Sequence, residues 1–254
     1  VKRKRGYLVM TARSDKGLVM VTKRDMYCLS WIAEQYAVRG DQLQRLLSRF
    51  PDEEHPFKGE LLAMTTVRDQ ISRWQRAGWV EYRRVLAGEP GFAWVTKKGL
   101  QLVDLDEIYT AKEPASTRLK HLYAVTQLRL WLDLKYAWKS ERRYRAEELG
   151  KSKAKKDKSS GPIPDAVITH KIGQVAIEVE ISAKKQDEMT QKVTRLVRHI
   201  VSRGYGYEHA FDAIWFYVSS YSIQTLVETA IEKLPEEEKK RVSVVLSPTL
   251  QAVV

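Results

Sequence analysis

Ile163-Pro164-Asp165, followed after a turn by Ala176-Ile177-Glu178-Val179-Glu180-Ile181-Ser182-Ala183-Lys184, decides how the chain is read. Apolar and β-branched runs on either side of Lys171-Ile172-Gly173 predict two strands, over about 165–170 and 174–181, joined as a hairpin. Asp165 begins the first. Glu178 and Glu180 are two apart on the second and so share one face, which the hairpin brings beside Asp165. Carboxylates converging on adjacent strands can hold Mg2+ or Mn2+ against a phosphodiester. An acidic pair at the centre of a sheet is costly to desolvate, so a metal or neighbouring Lys and Arg must balance it. Lys184 and Lys185 follow directly, with Arg195 and Arg198 further along.

Working outward, a helix is expected over about 184–202, with Met189, Val193, Leu196, Val197 and Ile200 inward. Ala213-Ile214-Trp215-Phe216-Tyr217-Val218 is apolar throughout, as a buried central strand is. A helix at 221–234 and a strand at 242–246 follow. Upstream, a helix is expected over about 118–139 and a first strand over 142–149. The order becomes α-β-β-β-α-β-α-β across 118–254. Within it, 150–161 is a lysine-rich loop without core-forming side chains, readable as a phosphate-grasping finger or as a solvated connection. His121 is a candidate catalytic base or a hydrogen-bonded structural histidine. Glu148 is a candidate acidic ligand or a solvated edge charge.

The N-terminal half reads differently. Residues 1–23 are a basic arm, with Leu18-Val19-Met20-Val21 a candidate short strand. Over 24–103, helices are expected at about 24–38, from Asp41, and at about 66–77, with Gly40 breaking the first and Thr65 or Thr66 capping the third. Strands at 79–85 and 92–96 flank the turn Gly88-Glu89-Pro90-Gly91. Three helices and a hairpin predict a winged helix-turn-helix, whose third helix enters the major groove of double-stranded DNA. Its candidate DNA-binding residues are Arg68, Arg73 and Arg76 on the helix, Arg83 and Arg84 on the wing, and Lys97 and Lys98 after it. Residues 104–117 read as a linker.

Composition agrees with a nucleic-acid partner. The 254 residues carry 44 Lys+Arg against 32 Asp+Glu, a formal net charge of +12, which favours polyanions. With Cys28 alone, a disulfide within the chain and a cysteine-based zinc site are excluded. No apolar run is long enough to span a bilayer, and a cytoplasmic location is the expectation.

Pro164-Asp165, a spacer of about a dozen residues and Glu178-x-Glu180 resemble the PD-(D/E)XK nuclease superfamily. The resemblance implies a restriction-endonuclease-like mixed β-sheet flanked by helices, Mg2+ held by Asp165 and Glu178, and a lysine that activates the attacking water. Glu180 stands where that lysine belongs. Lys184 then supplies the amine, or Glu180 is a third metal ligand, or the site is degenerate and only the fold survives. A narrower resemblance covers most of 24–220. It rests on Arg24-Asp25, Asp41-Gln42-Leu43, Arg73-Trp74-x-x-Ala77-Gly78-Trp79-Val80, Leu86-Ala87-Gly88-Glu89-Pro90-Gly91, Trp94-Val95-Thr96-x-x-Gly99-Leu100, His121-Leu122-x-Ala124-Val125, Ser140-Glu141-Arg142, Pro164-Asp165-Ala166 and Ala176 to Lys184. These are similar to the replication-relaxation (mobilisation protein C-like) family of plasmids and integrative elements. That similarity implies a two-domain α+β chain, a winged helix joined to a nuclease-like domain, acting in replication, mobilisation or DNA processing. A homodimer and other replication or mobilisation proteins are left open as partners. So is a non-catalytic role as an origin binder or transcription regulator.

Overall fold

The computed structural model of the protein describes residues 20–49, 60–85, 87–152, 163–201 and 211–251. Most of the basic arm (1–19) and most of the lysine-rich loop (153–161) lie outside them.

Helix α1 (Lys23–Gln35) starts where Thr22 and Asp25 cap each other reciprocally: the Thr22 hydroxyl accepts from the Asp25 N–H, and the Asp25 carboxylate from the Thr22 N–H. Its last residue is Gln35, three before the expected boundary at 38, and Tyr36 at φ 69° then turns the chain sharply. Val38 and Arg39 instead form a short strand, β1, against β3 (Phe92–Val95). Gly40 is not a breaker. It opens α2 (Gly40–Arg49) and donates its N–H to the Gly91 carbonyl at 2.9 Å. Helix α3 spans Met64–Ala77, and its cap position is Ala63, so neither Thr65 nor Thr66 caps it. Gly78, at φ 74°, closes it. Strand β2 (Val80–Arg83) then pairs antiparallel with β3, giving a three-stranded sheet of order β1-β3-β2. Both strands are shorter than expected. Lys97 and Lys98 open a further helix, α4 (Lys97–Leu102), capped by Thr96.

The core of this unit is Leu29, Ile32, Leu43, Val67, Ile71, Trp74, Val95 and Leu100, joined by Leu105 and Ile108. The expected linker is therefore packed against it, which a free tether would not be.

The second unit is built on a five-stranded mixed sheet of order β4-β5-β6-β7-β8. Strands β4 (Ala137–Ser140), β5 (Ala166–His170) and β6 (Gly173–Glu180) run antiparallel in turn; β7 (Ala213–Val218) and β8 (Val242–Leu246) continue parallel to β6. Helix α5 (Ser116–Leu132) covers one face, where Ala124, Leu128 and Leu132 meet Ile168, Val175, Ile177 and Val179. Helices α7 (Gln186–Val201) and α8 (Tyr221–Ile231) cover the other, where Met189, Val193, Val197, Ile223 and Val227 meet Val167, Ala176, Phe216 and Val218. Two short helices, α9 (Glu236–Lys239) and α10 (Pro248–Gln251), flank β8.

The start of this unit departs from the expectation. The first helix stops at Leu132, and the first strand is 137–140. The expected strand at 142–149 is a helix, α6 (Glu141–Ser152), and Glu148 lies within it. Pairs of Glu141 with Arg145 (2.6 Å) and Arg143 with Glu147 (3.4 Å), each four residues apart, suit a helix. The mixed α+β class is as expected. No helix among the described residues is long and apolar enough to cross a membrane.

The two units are joined by buried polar contacts. Arg129 of α5 lies 4.3 Å from the Trp31 ring centre, donates to the Trp31 carbonyl at 3.2 Å and pairs with Glu34 at 2.9 Å. Trp31 Nε1 donates to Asp133 at 2.8 Å. Arg142 reaches the Ala33 and Tyr109 carbonyls. Gln42 Nε2 donates to the Tyr123 carbonyl at 2.8 Å, and Tyr123 carries the Arg39 guanidinium 3.7 Å from its ring centre.

Candidate active site

Strand β6 sits at the centre of the mixed sheet, and its last six residues are buried. Strand alternation sends Val175, Ile177 and Val179 to the α5 face and Ala176, Glu178 and Glu180 to the α7 face. Two carboxylates thus enter an interior where apolar residues would ordinarily stand. Pairing of Ala166 with Ile177 places Asp165 beside the next step of β6, and the Val179 N–H donates to Asp165 Oδ2 at 2.8 Å. The structure therefore brings Asp165, Glu178 and Glu180 together.

The compensating charge comes chiefly from Lys192, which the sequence reading missed. Its ammonium pairs with Glu178 Oε2 at 2.7 Å and also contacts Glu180 Oε1. Lys184, just before α7, pairs with Glu180 Oε2 at 2.7 Å. Both Glu180 oxygens are thus held by lysines, and Lys184 reaches the cluster only through Glu180. The signal for Lys192 was in the sequence: it lies among Met189, Val193 and Leu196 on the apolar stripe of α7, where a lysine needs a buried partner.

His121 projects from α5, and its Nε2 lies 2.9 Å from Asp165 Oδ1. Burial works against the ionised form of Asp165, but the His121 hydrogen bond and charge, Lys192 and the Val179 N–H together hold its carboxyl below the usual range. Burial likewise opposes a charged His121, yet Asp165 raises the imidazole above its ordinary value. Glu178 goes the other way. Burial and the Asp165 charge push its carboxyl up to about 7, despite Lys192. Desolvation opposes the Lys192 ammonium, and the three carboxylates outweigh it, so this amine stays protonated well above its normal range. The cluster thus sets a carboxyl held below the ordinary range, Asp165, beside one raised above it, Glu178.

Asp165 and Glu178 offer oxygen donors suited to a hard divalent cation, which commonly takes one or two carboxylates and completes its shell with water. Among the described residues no trio of His, Cys, Asp or Glu converges as a metal site. Glu180 is turned to its two lysines.

The residues expected on a DNA-facing surface divide into two groups. Arg68, Arg76, Arg83, Arg84, Lys97 and Lys98 are exposed. Arg73 is not on an open face: its guanidinium is bound to buried Asp25 and, at 2.9 Å, to the Met20 carbonyl. Arg83 pairs with Glu113 at 2.9 Å, and Lys98 donates to the Ala77 carbonyl at 2.8 Å at the end of α3. No protein-family model matches the chain, and neither a curated protein nor a solved structure matches it.

Proposed function

We propose that the protein binds double-stranded DNA through the α1–α3 and β2–β3 unit, a winged helix, and nicks or cleaves it at the Asp165–Glu178 cluster, a nuclease-like site. The setting suggested by its resemblance to the replication-relaxation family is DNA processing by a plasmid or mobile element. The observation that carries this reading is the buried constellation on paired strands: Asp165, Glu178 and Glu180 around the Lys192 amine. Asp165 and Glu178 would hold Mg2+ or Mn2+. Such a cation supplies Lewis-acid polarisation of the phosphoryl group and a more acidic water. His121 fixes the Asp165 carboxylate, and Lys192 places a permanent positive charge where negative charge develops on the phosphoryl oxygens. Lys184 and Lys192 hold Glu180, which in turn keeps the Lys192 amine in place.

Supercoiled plasmid with Mg2+ tests this directly. Wild type is expected to nick or linearise it, and Asp165→Asn to lower the rate at least about 100-fold, since even residues outside a metal's first shell cost 10–100-fold. Equal rates for the two proteins, or no metal-dependent cutting by wild type, would overturn catalysis. Binding has its own readout. Arg68→Ala, Arg76→Ala and Arg84→Ala are each expected to weaken DNA binding and to lower the salt slope by about one counterion. Arg73→Ala is expected to lower stability instead, because its guanidinium is tied to Asp25.

A second reading is supported by one feature. Glu180 occupies the position where a nuclease lysine is expected, and it binds the only amine that touches Glu178 among the described residues. A site neutralised in this way suits a non-catalytic origin binder or regulator. In that case DNA binding persists in Asp165→Asn, and wild type does not cut.

A further inference from the structure

Beside the carboxylate cluster lies a crevice between the end of α1, α5 and the start of α6. Asp165, His121, Tyr36, Arg118 and Arg142 are among the residues that line it. Its enclosed space is about 30 Å3, room for a water but not for a nucleobase. Tyr36, which lines it, has a second aromatic ring beside it. The Tyr36 and Tyr109 rings lie 6.2 Å apart at 56°. Arg142, 3 % exposed, backs both, its guanidinium carbon 5.5 Å and 4.7 Å from their centres, and its Nε has no hydrogen-bond partner. Tyr109 nevertheless remains 47 % exposed, and Arg118 stands over Tyr36 at 5.8 Å with its own charge in solvent. Tyr36 is held in place by backbone at φ 69°, a conformation a non-glycine residue adopts only when its surroundings enforce it.

We propose that Tyr109, Tyr36 and Arg118 form a stacking platform for an unpaired nucleotide of the DNA strand next to the Asp165 cluster. Aromatic faces beside cationic side chains are what an unpaired base and its phosphate bind, whatever the base. A base in a duplex is stacked on its neighbours and cannot offer its face to a tyrosine. The preferred substrate is therefore DNA that is locally opened near the cut. The base lies across the rim on Tyr109, Arg118 meets the adjoining phosphate, and the backbone passes towards Asp165. This inference rests on the DNA-processing reading above.

The experiment measures binding in EDTA, apart from any cutting. The probe is a duplex carrying one unpaired 2-aminopurine, compared with the same duplex fully paired. Wild type is expected to bind the unpaired form roughly 5- to 30-fold more tightly, the range that about 1–2 kcal/mol of stacking provides. The 2-aminopurine fluorescence should fall on binding as the base stacks on tyrosine. Tyr109→Phe keeps the preference, Tyr109→Ala abolishes it, and Arg118→Ala reduces affinity for the unpaired form. Equal affinity of wild type for both duplexes, or a preference that survives Tyr109→Ala, overturns the platform while leaving the DNA-processing reading standing. Absence of binding to either duplex overturns both.

Discussion

Replacing Lys192 by methionine is expected to cost about 3–5 kcal/mol of stability at pH 8, measured by urea unfolding in the presence of a chelator. Lys192 is the cation shared by Glu178 and Glu180, which are 4 % and 3 % exposed. Methionine matches the length of the stem but leaves two buried carboxylates short of their common partner, and removal of one member of a buried ion pair typically costs that much. The cost should shrink towards pH 5, where the Glu178 carboxyl takes up a proton. Glu178→Gln should do the opposite. The Glu178 carboxyl is raised from 4.5 to about 7 in the folded protein. Between those values the folded state holds a proton that the unfolded state has lost, so wild-type stability falls as pH rises through this window. A shift of that size corresponds to about 3 kcal/mol. The raised His121 works in the same direction: the stability it contributes is present below its unfolded value and is lost as pH rises through its folded one. Glu178→Gln should flatten much of the dependence and stabilise the metal-free protein at pH 8. A Lys192→Met variant as stable as wild type at pH 8 would mean that the carboxylates are relieved in some other way.

Asp25→Ala should be comparably severe, about 3–5 kcal/mol at pH 7.5, although Asp25 belongs to the other unit. Its side chain is wholly buried and accepts from the Thr22 N–H at 2.9 Å, from Gln70 Nε2 and Trp74 Nε1 at 2.8 Å each, and from Arg73. Truncation strands these donors, including a guanidinium, and removes half of the box that starts α1. Burial opposes the charge on Asp25, but Arg73, the Thr22 N–H and Trp74 outweigh it and hold the carboxyl below 3.8. The stability it contributes is therefore present above pH 3.8 and lost as pH falls through the lower folded value. Asp25→Ala should thus narrow its gap to wild type only in strong acid. A loss below about 1 kcal/mol would show that water replaces these bonds.

Much of the mixed sheet was legible because its signals are local. The bounds of β7 and β8 follow from apolar runs, and the facing of Glu178 and Glu180 from strand alternation alone. Helix α6 was misread because the apolar content of 142–149 is low and its support is the spacing of charges, Glu141 to Arg145 and Arg143 to Glu147. Arg73 was misassigned for a different reason. Its helical position fits a DNA-facing residue, and its partner Asp25 stands 48 positions earlier in the chain. Leu105 and Ile108 stand among Asp104, Asp106 and Glu107 with no sustained period and did not register as core, yet both pack against the helices of the first unit. Periodicity assigns a residue to a face; what covers that face is set by contacts distant in sequence.

The buried arginines between the two units also act as a ruler. Arg129 and Arg142 hold α1 against α5 and α6 through backbone carbonyls and Glu34, so the separation between α3 and the Asp165 cluster does not depend on the length of the segment between them. A duplex seated on α3 would then meet the cluster a set number of base pairs away. Under the proposed function, where the strand is opened or cut would be measured from the bound sequence by these buried contacts.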